Sequence, residues 1–292
     1  MDQFPAYQRL RYHVRGQPRV SIVIPSKNNG KTLRTCITSI VERSTYSNVE
    51  IVVVDNGSSE PETLAYLHEL ADTGTACTIQ HDEPFNFSQL CNAGVRRSSG
   101  ELLLFLNDDT AVLTRDWLER MIGYAQLDHV GAVGAKLLYP QSRKVQHAGV
   151  IALGRRGPSH AFLGVAANKP CYFARNVLEV NWIAVTGACL MLDRAKFVQI
   201  GGFDEDFPVA YNDIDLCYRL LKAGYFNVNC QAAQVLHYES MSRGSDHVDS
   251  EKMRRLRADK NRLDMRHPQF FLRDPYFSLN FDQTSIMFDI AV

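Results

Sequence analysis

The 292-residue sequence lacks several features that define protein classes. No segment approaches the roughly 20 apolar residues that cross a bilayer, and residues 1–17 lack the apolar centre of a secretory signal. The seven cysteines are odd in number, widely scattered and never spaced Cys-x-x-Cys, which fits neither a disulfide framework nor a zinc ribbon. We therefore expect a cytoplasmic protein in a reducing compartment.

The sequence also lacks an excess of either charge. Lys and Arg together number 32, Asp and Glu together number 32, and no long basic block is present. This balance argues against nucleic acid as a principal partner. Hydrophobic residues make up 45% of the chain, so its length and composition suit one large α/β domain or two small ones with a sizeable core.

Apolar strands alternate with helical stretches over residues 20–106. Strands are predicted at 20–24, 50–54, 77–80 and 102–106, and helices at 31–43, 62–71 and 88–97. A strand and a helix about every 25 residues are typical of a parallel sheet with helices on its faces. This half is therefore predicted to be a Rossmann-like nucleotide fold, but Gly-x-Gly-x-x-Gly, the fingerprint of a dinucleotide-dependent dehydrogenase, does not follow the first strand.

Polar or turn residues directly follow three of these strands, at 25–30, 55–59 and 107–110. Because parallel strands share one carboxyl edge, we expect the three loops to converge on one crevice. Asn107, Asp108 and Asp109 end the most apolar strand, and such oxygen ligands suit a divalent cation that holds a diphosphate. The alternative is that these residues only cap the next helix. Asp55 carries the same ambiguity, between a ribose or base contact and a helix cap.

The second half of the chain is less regular. Strands are predicted at 130–138, 145–153 and 181–192, and helices at 213–223 and 250–266. Residues 154–170, rich in Gly, Pro and Arg, are predicted to form a mobile loop, either an acceptor-side lid that includes His160 or a plain surface loop. The proposed divisions are an N-terminal extension over 1–19, a main domain over 20–244 and a C-terminal helical segment and tail over 245–292.

Seven short motifs follow one another along the chain. They are VSIVIPSKN (20–28), VVVDNGS (52–58), NDDT (107–110), TGAC (186–189), GGFDE (201–205), NDIDL (212–216) and HYES (237–240). With them the sequence resembles the family 2 glycosyltransferases, and more closely the bacterial branch that builds cell-surface polysaccharides, including rhamnosyltransferase-like proteins. The resemblance implies an α/β fold of the GT-A type. In this fold a Rossmann-like nucleotide-binding half with a mixed sheet and an acceptor-binding half form a single compact domain, here with a C-terminal helical tail.

The resemblance also implies which residues bind the donor. Asp109 and His237 are expected to hold Mn²⁺ or Mg²⁺, although Asn107 stands where the family usually has its first Asp, so the metal contact there is weakened or replaced by one to water or ribose. Arg243 is expected to contact the diphosphate. The full set of implied nucleotide-binding residues is Pro25, Ser26, Asn28, Asp55, Asn56, Asn92, Gly94, Asn107, Asp108 and Arg243.

The catalytic and acceptor residues follow from the same resemblance. Asp213 is expected to take the proton from the acceptor hydroxyl, with the dipole of its helix keeping it ionised. Asn212 replaces the family's usual Glu beside it. Gly187 and Ala188 are expected to let a substrate approach the backbone closely, and Trp182 either stacks on a sugar or lies in the core.

These residues predict an inverting, metal-dependent glycosyltransferase. The donor is expected to be a dTDP- or UDP-sugar, and the acceptor a glycan or lipid-linked glycan in O-antigen, capsule or rhamnan synthesis. One alternative is a sugar nucleotidyltransferase, although no Gly-rich basic loop follows the first strand. Another is a non-catalytic sugar-nucleotide or glycan-binding module, for which Asn107 and Asn212 are the only hint. The charged C-terminal helix either contacts the inner face of the cell membrane or a partner enzyme, or is a solvated face.

Overall fold

Strands and helices alternate regularly in the first half of the fold. A computed structural model describes residues 7–238 and 250–291. The first elements are β1 (Val20–Ser26), α1 (Gly30–Arg43), β2 (Val49–Asp55), α2 (Pro61–Asp72), β3 (Cys77–Gln80), α3 (Phe87–Arg97) and β4 (Leu102–Leu106). The predicted alternation is confirmed, and no predicted bound in this half differs from the observed one by more than two residues.

The second half combines short strands with short helices. Its elements are β5 (Thr110–Val112), α4 (Trp117–Ala125), β6 (Val130–Leu138), β7 (Val145–His147), β8 (Val150–Ala152), β9 (Pro158–His160), β10 (Val180–Trp182), β11 (Cys189–Asp193), α5 (Arg194–Gln199), α6 (Asn212–Lys222), β12 (Phe226–His237), α7 (Ser250–Arg266) and α8 (Pro268–Leu272). A 3₁₀ turn at Gly154–Arg156 precedes β9.

The central sheet is mixed, as expected. Its strands lie in the order β10-β12-β6-β11-β4-β1-β2-β3, and β5 and β7 pair with β12 and β6. The strands β3, β2, β1 and β4 are parallel, whereas β11 runs antiparallel to both β4 and β6. The carboxyl ends of β1, β2 and β4 therefore lie at one edge. The antiparallel pairing of β5 with β12 brings His237 beside Thr110 at the same edge.

Helices cover both faces of the sheet because strand residues alternate between them. Leu102, Leu104 and Leu106 pack into one apolar cluster with α1, α2 and α4, whereas Leu103 and Phe105 pack into another with α3, α5 and α6. All five residues of β4 are buried. Its unbroken apolar run is therefore that of a strand covered on both sides.

Three predictions for the second half are wrong in detail. The strand predicted at 181–192 is two strands, β10 beside β12 and β11 between β4 and β6. The strand predicted at 145–153 breaks at Gly149, where φ is +130° and a Cβ would lie 2.1 Å from Trp182 Cδ2. Residues 154–162 are not a plain loop, because β9 pairs with β8 and both Ala161 and Phe162 are fully buried.

The terminal segments pack onto this same body. Tyr12 meets Tyr124 of α4 edge to face, with ring centroids 5.1 Å apart. At the other end, His267 lies between α7 and α8. Its Nε2 is 2.8 Å from Asp215 Oδ1 of α6. In the described part of the chain, no helix combines the length and apolarity needed to span a membrane.

The C-terminal tail completes a third apolar cluster under β7–β10. Phe277, Phe281 and Phe288 are buried there together with Phe162 and Trp182. The rings of Phe277 and Phe288 lie 4.9 Å apart, edge to face. The tail thus contributes core side chains to the main body, and the division proposed after residue 244 stays a prediction.

We expect Phe277→Ala to lower the free energy of unfolding by about 3–5 kcal/mol, because it removes a buried ring and leaves a cavity. Denaturant unfolding monitored by circular dichroism measures this change. Leu279→Ala is the control, since Leu279 is 66% exposed. Equal stability of the two variants would contradict the packing of the tail into the core.

Candidate active site

The loops after β1, β2 and β4 meet at one edge of the sheet. Ser26 Oγ donates a hydrogen bond of 2.7 Å to Asp108 Oδ2 and so joins the loops after β1 and β4. The Asn28 backbone N–H donates to Ser58 Oγ at 2.9 Å, and Asn28 Oδ1 accepts from the Ser59 backbone N–H at 2.7 Å. Three of the predicted donor residues therefore lie together at the edge where the sequence predicts a crevice.

Asp55 and Asn56 form the frame of this crevice. Asp55 accepts hydrogen bonds from the backbone N–H and the hydroxyl of Ser58, so it shapes the turn after β2. Asn56 Nδ2 donates to the backbone oxygens of His81 and Glu83, each at 2.8 Å, and fastens the loop to the end of β3. Direct contact of these two residues with a nucleotide stays a prediction.

The structure corrects the expectation for Gly94 and gives Asn92 a structural partner. Gly94 lies where α3 packs against the sheet, and a Cβ there would be 2.3 Å from Val23 Cγ1. Its small size therefore serves the packing of a helix on a strand, and it does not face the crevice. Asn92 exchanges hydrogen bonds of 3.0 Å with both backbone groups of Phe203, which anchors the GGFDE segment to α3.

Asp109 and His237 are brought together by the pairing of β5 with β12. Asp109 is only 6% exposed, and its Oδ1 lies 3.1 Å from His237 Nε2. This oxygen has no hydrogen-bond partner within the described residues. Asn107 Nδ2 lies 3.3 Å from the same histidine nitrogen. A buried carboxylate oxygen that faces an imidazole nitrogen is stabilised by a cation between them.

These groups fit a divalent cation that is shared with a substrate. The described part of the chain contains no group of three or more His, Cys, Asp or Glu side chains arranged to hold a metal. One carboxylate and one imidazole suffice where substrate phosphates supply further ligands, as is usual for Mg²⁺. Asn107 adds no charge, so Asp109 supplies the carboxylate beside His237. Arg243 lies outside the described residues.

Asp213 lies in the first turn of α6 and accepts two backbone hydrogen bonds. Its Oδ2 accepts from the Gly187 N–H at 2.7 Å and its Oδ1 from the Ile214 N–H at 2.8 Å. Burial raises the pKa of the Asp213 carboxyl, although the Gly187 hydrogen bond and the nearby His160 act in the opposite direction. Burial thus outweighs the stabilisation of the ionised form that was expected from the helix N-terminus.

Two residues predicted to contact the acceptor are buried and make structural contacts instead. Of the two alternatives for Trp182, the structure supports the core and contradicts stacking on a sugar, because the side chain is 0% exposed and its ring lies 6.2 Å from that of Phe162. The Asn212 side chain is also buried, donating to the Val209 carbonyl at 3.3 Å and accepting from the Asp213 N–H at 2.8 Å. It shapes the start of α6.

The Gly187-Ala188 dipeptide links Asp213 of α6 to the loop after β4. The Gly187 N–H donates to Asp213, and the Ala188 carbonyl accepts from the Asn107 N–H at 3.1 Å. A Cβ on Gly187 would lie 3.2 Å from Asp213 Cβ, so the small residue allows this close approach. The Asp213 carboxylate and the polar loop after β4 therefore contact adjacent residues of the chain, Gly187 and Ala188.

Two consecutive residues of β7, Gln146 and His147, also lie near the site, although no sequence pattern predicts them there. Gln146 Oε1 lies 2.9 Å from His237 Nδ1. His147 Nδ1 lies 2.9 Å from Nδ1 of the exposed His160, and burial lowers the pKa of His147 well below its usual value. No sequence motif marks a side chain that acts through another side chain. The only signal for these two residues is their position in a short strand beside β6.

The model of the family described as "Glycosyl transferase family 2" matches residues 21–201. The chain belongs to this family. Among the curated proteins similar to this chain, the O-antigen biosynthesis protein RfbC of Myxococcus xanthus is 39% identical over 84% of this chain and 19% of its own length. The N-acetylglucosaminyl-diphospho-decaprenol L-rhamnosyltransferase of Mycobacterium tuberculosis is 33% identical over 40% of each chain.

The fold of this family 2 chain is also that of solved GT-A glycosyltransferases. The mannosyltransferase PcManGT of Pyrobaculum calidifontis, solved in complex with GDP-Man and Mn²⁺, aligns with a TM-score of 0.60. It is 17% identical, and the alignment covers 84% of this chain and 64% of that one. The predicted GT-A architecture is confirmed. The chain spans less than half the length of each of the two relatives described above.

For Asp213, the raised pKa predicts how stability changes with pH. The native state holds this proton more tightly than the unfolded chain, whose Asp pKa is about 3.9. As the pH rises from 4 to 7.5, we therefore expect wild type to lose stability relative to Asp213→Asn. The loss is about 1.4 kcal/mol for each unit by which the native pKa of Asp213 exceeds its pKa in the unfolded chain.

Denaturant unfolding at several pH values measures this difference in stability. Asp72→Asn, an exposed substitution at the end of α2, is the matched change of charge. A wild type that gains stability relative to Asp213→Asn over the same pH range would show that the pKa of Asp213 is lowered instead.

Proposed function

We propose that this chain transfers a sugar from a nucleotide-diphosphate sugar to a hydroxyl of a glycan acceptor, in the synthesis of bacterial cell-surface polysaccharide. The observation that carries the proposal is the Gly187-Ala188 link between Asp213 and the loop of Asn107 and Asp109. A candidate base and a candidate metal ligand then flank the same crevice. Family membership and the O-antigen name of RfbC support the same reaction class.

The donor is proposed to bind at the edge where the loops after β1, β2 and β4 converge. Ser26 and Asn28 already join these loops by hydrogen bonds, so the crevice is built before a ligand enters. A dTDP- or UDP-sugar is the proposed donor, and the name of the rhamnosyltransferase relative favours a deoxyhexose. The GDP-Man in PcManGT makes GDP the third nucleotide to test.

Asp109 and His237 would hold the divalent metal, Mn²⁺ or Mg²⁺. When bound, the cation supplies positive charge to the diphosphate that leaves. The unpartnered Asp109 Oδ1 and the nearby His237 Nε2 support this assignment. Asp108 is directed to Ser26, so it contributes to the shape of the loop.

Asp213 is the proposed base of an inverting displacement. The acceptor oxygen forms a bond to the anomeric carbon while the bond from that carbon to the diphosphate oxygen breaks on the opposite face. The hydroxyl proton passes to the Asp213 carboxylate, and the electron pair of the broken bond leaves with the diphosphate. A carboxylate whose pKa is raised by burial is a stronger base, which suits this role.

The acceptor is proposed to be a glycan or a lipid-linked glycan. Its chemistry is suggested by the decaprenol-linked substrate in the name of the rhamnosyltransferase relative. Peripheral contact with the inner face of the cell membrane, through the Arg-rich α7, belongs to the same proposal.

Metal-dependent nucleotide binding tests the donor site. We expect one of UDP, GDP and dTDP, with Mn²⁺, to stabilise the protein by about 2.7 kcal/mol at 100 times its dissociation constant. Asp109→Ala should lose this gain, because it removes the candidate carboxylate ligand, whereas the exposed Asp72→Ala should keep it. Thermal unfolding with and without metal measures the effect, and no stabilisation by any of the three nucleotides would refute the donor site.

Turnover tests the role of Asp213. We expect Asp213→Asn to lower kcat by on the order of 10²–10⁴, because the amide cannot take the acceptor proton. Nucleotide affinity should be unchanged, since the side chain lies on the acceptor side of the Gly187-Ala188 link. Release of nucleoside diphosphate from UDP-, GDP- and dTDP-sugars is measured with isolated O-antigen and capsule glycans. An unchanged kcat would rule out Asp213 as the base, and nucleotide binding by wild type without any release would favour a binding module.

A further inference from the structure

Gln146 is buried beside the candidate metal ligands without being one of them. It lies in β7, which pairs with the end of β6, and it is 4% exposed. Its amide oxygen Oε1 lies 2.9 Å from His237 Nδ1. A carbonyl oxygen can only accept a hydrogen bond, so the hydrogen in this contact belongs to Nδ1 of the histidine.

This contact determines which nitrogen of His237 remains able to bind a cation. A neutral imidazole carries one hydrogen, and with that hydrogen on Nδ1 the lone pair is on Nε2. Nε2 is the nitrogen that lies 3.1 Å from the unpartnered Asp109 Oδ1. Asn107 Nδ2, which can only donate, lies 3.3 Å from Nε2 and is compatible with the same tautomer.

We propose that Gln146 is a positioning residue for His237, which holds the imidazole in the Nδ1–H tautomer with its Nε2 lone pair directed to the cation side of Asp109. The proposal rests on the proposed metal-dependent function and adds a residue to it. Partners that orient a ligating histidine in this way change metal affinity although they never touch the metal.

The neutral Asn107 makes this positioning more important. With an amide in place of a carboxylate at 107, less negative charge faces the cation, and a larger share of the binding must come from His237. A Gln in β7 orients the imidazole without adding charge, whereas a Glu there would orient it and also make its Nε2 more basic. We therefore expect Gln146→Glu to preserve metal binding and Gln146→Met, which has nearly the same shape but no strong acceptor, to weaken it.

Mn²⁺ binding tests the proposal without turnover. The electron paramagnetic resonance signal of free Mn²⁺ is followed as protein is added, with UDP, GDP and dTDP present in turn. Gln146→Met should weaken Mn²⁺ binding by about 10- to 100-fold, and Gln146→Glu should stay within about threefold of wild type. Gln126→Met is the control, because it also removes side-chain hydrogen bonds, to Arg15 and His13, at a distant site just after α4.

A second measurement reads the tautomer directly. Imidazole ¹⁵N chemical shifts of the metal-free protein at pH 8 should show the Nδ1–H form of His237 in wild type and in Gln146→Glu, and its loss in Gln146→Met. If Gln146→Met does not fold, Gln146→Asn, which shortens the same amide by one methylene, takes its place.

The inference is overturned if wild type shows the Nε2–H form, or if Gln146→Met binds Mn²⁺ as wild type does. Either result leaves the proposed function intact, provided that wild type binds Mn²⁺ and His237→Ala does not. If wild type itself binds no Mn²⁺ with any of the three nucleotides, the metal site of the proposed function fails, and the inference about metal binding fails with it.

Discussion

The pairing of β5 with the end of β12 is the constraint on which the candidate site depends. Its antiparallel register sets His237 opposite Thr110, and the Tyr238 N–H donates to the Asp109 carbonyl at 2.8 Å. A histidine from the end of the chain's longest strand is thereby held beside a carboxylate from the loop after β4.

The candidate site contains unfavourable interactions, and the apolar core offsets their free-energy cost. Asp109 Oδ1 is buried without a hydrogen-bond donor in the described chain, and burial raises the pKa of Asp213. A buried acceptor left unpaired costs about 1–3 kcal/mol. The aromatic cluster completed by Phe277 and Phe288 lies under the same strand, β7, that carries Gln146, so the tail stabilises the wall of the site. The cation proposed above would pair with Asp109 Oδ1 and remove this cost.

The first half of the fold could be predicted from the sequence because its signals are local. Apolar runs such as Leu102–Leu106 and the polar residues after them depend on a few neighbouring positions, and parallel strands bring their loops together. The second half could not be predicted in the same way, because β10 and β11 come from one apolar stretch and are sorted by pairing with distant strands. Trp182 and Gly94 look like site residues in the sequence, yet contacts with Phe162 and Val23 assign them to the core. Gln146 acts only through His237, and no local pattern marks such a residue.

Anomalous scattering from Mn²⁺ in crystals grown with UDP, GDP or dTDP would show whether Asp109 and His237 hold the metal against the nucleotide. We expect a manganese peak within bonding distance of both Asp109 Oδ1 and His237 Nε2, with the diphosphate of the nucleotide completing its coordination. Ordered nucleotide with its diphosphate away from these two atoms, or a manganese peak bound by other side chains, would contradict it.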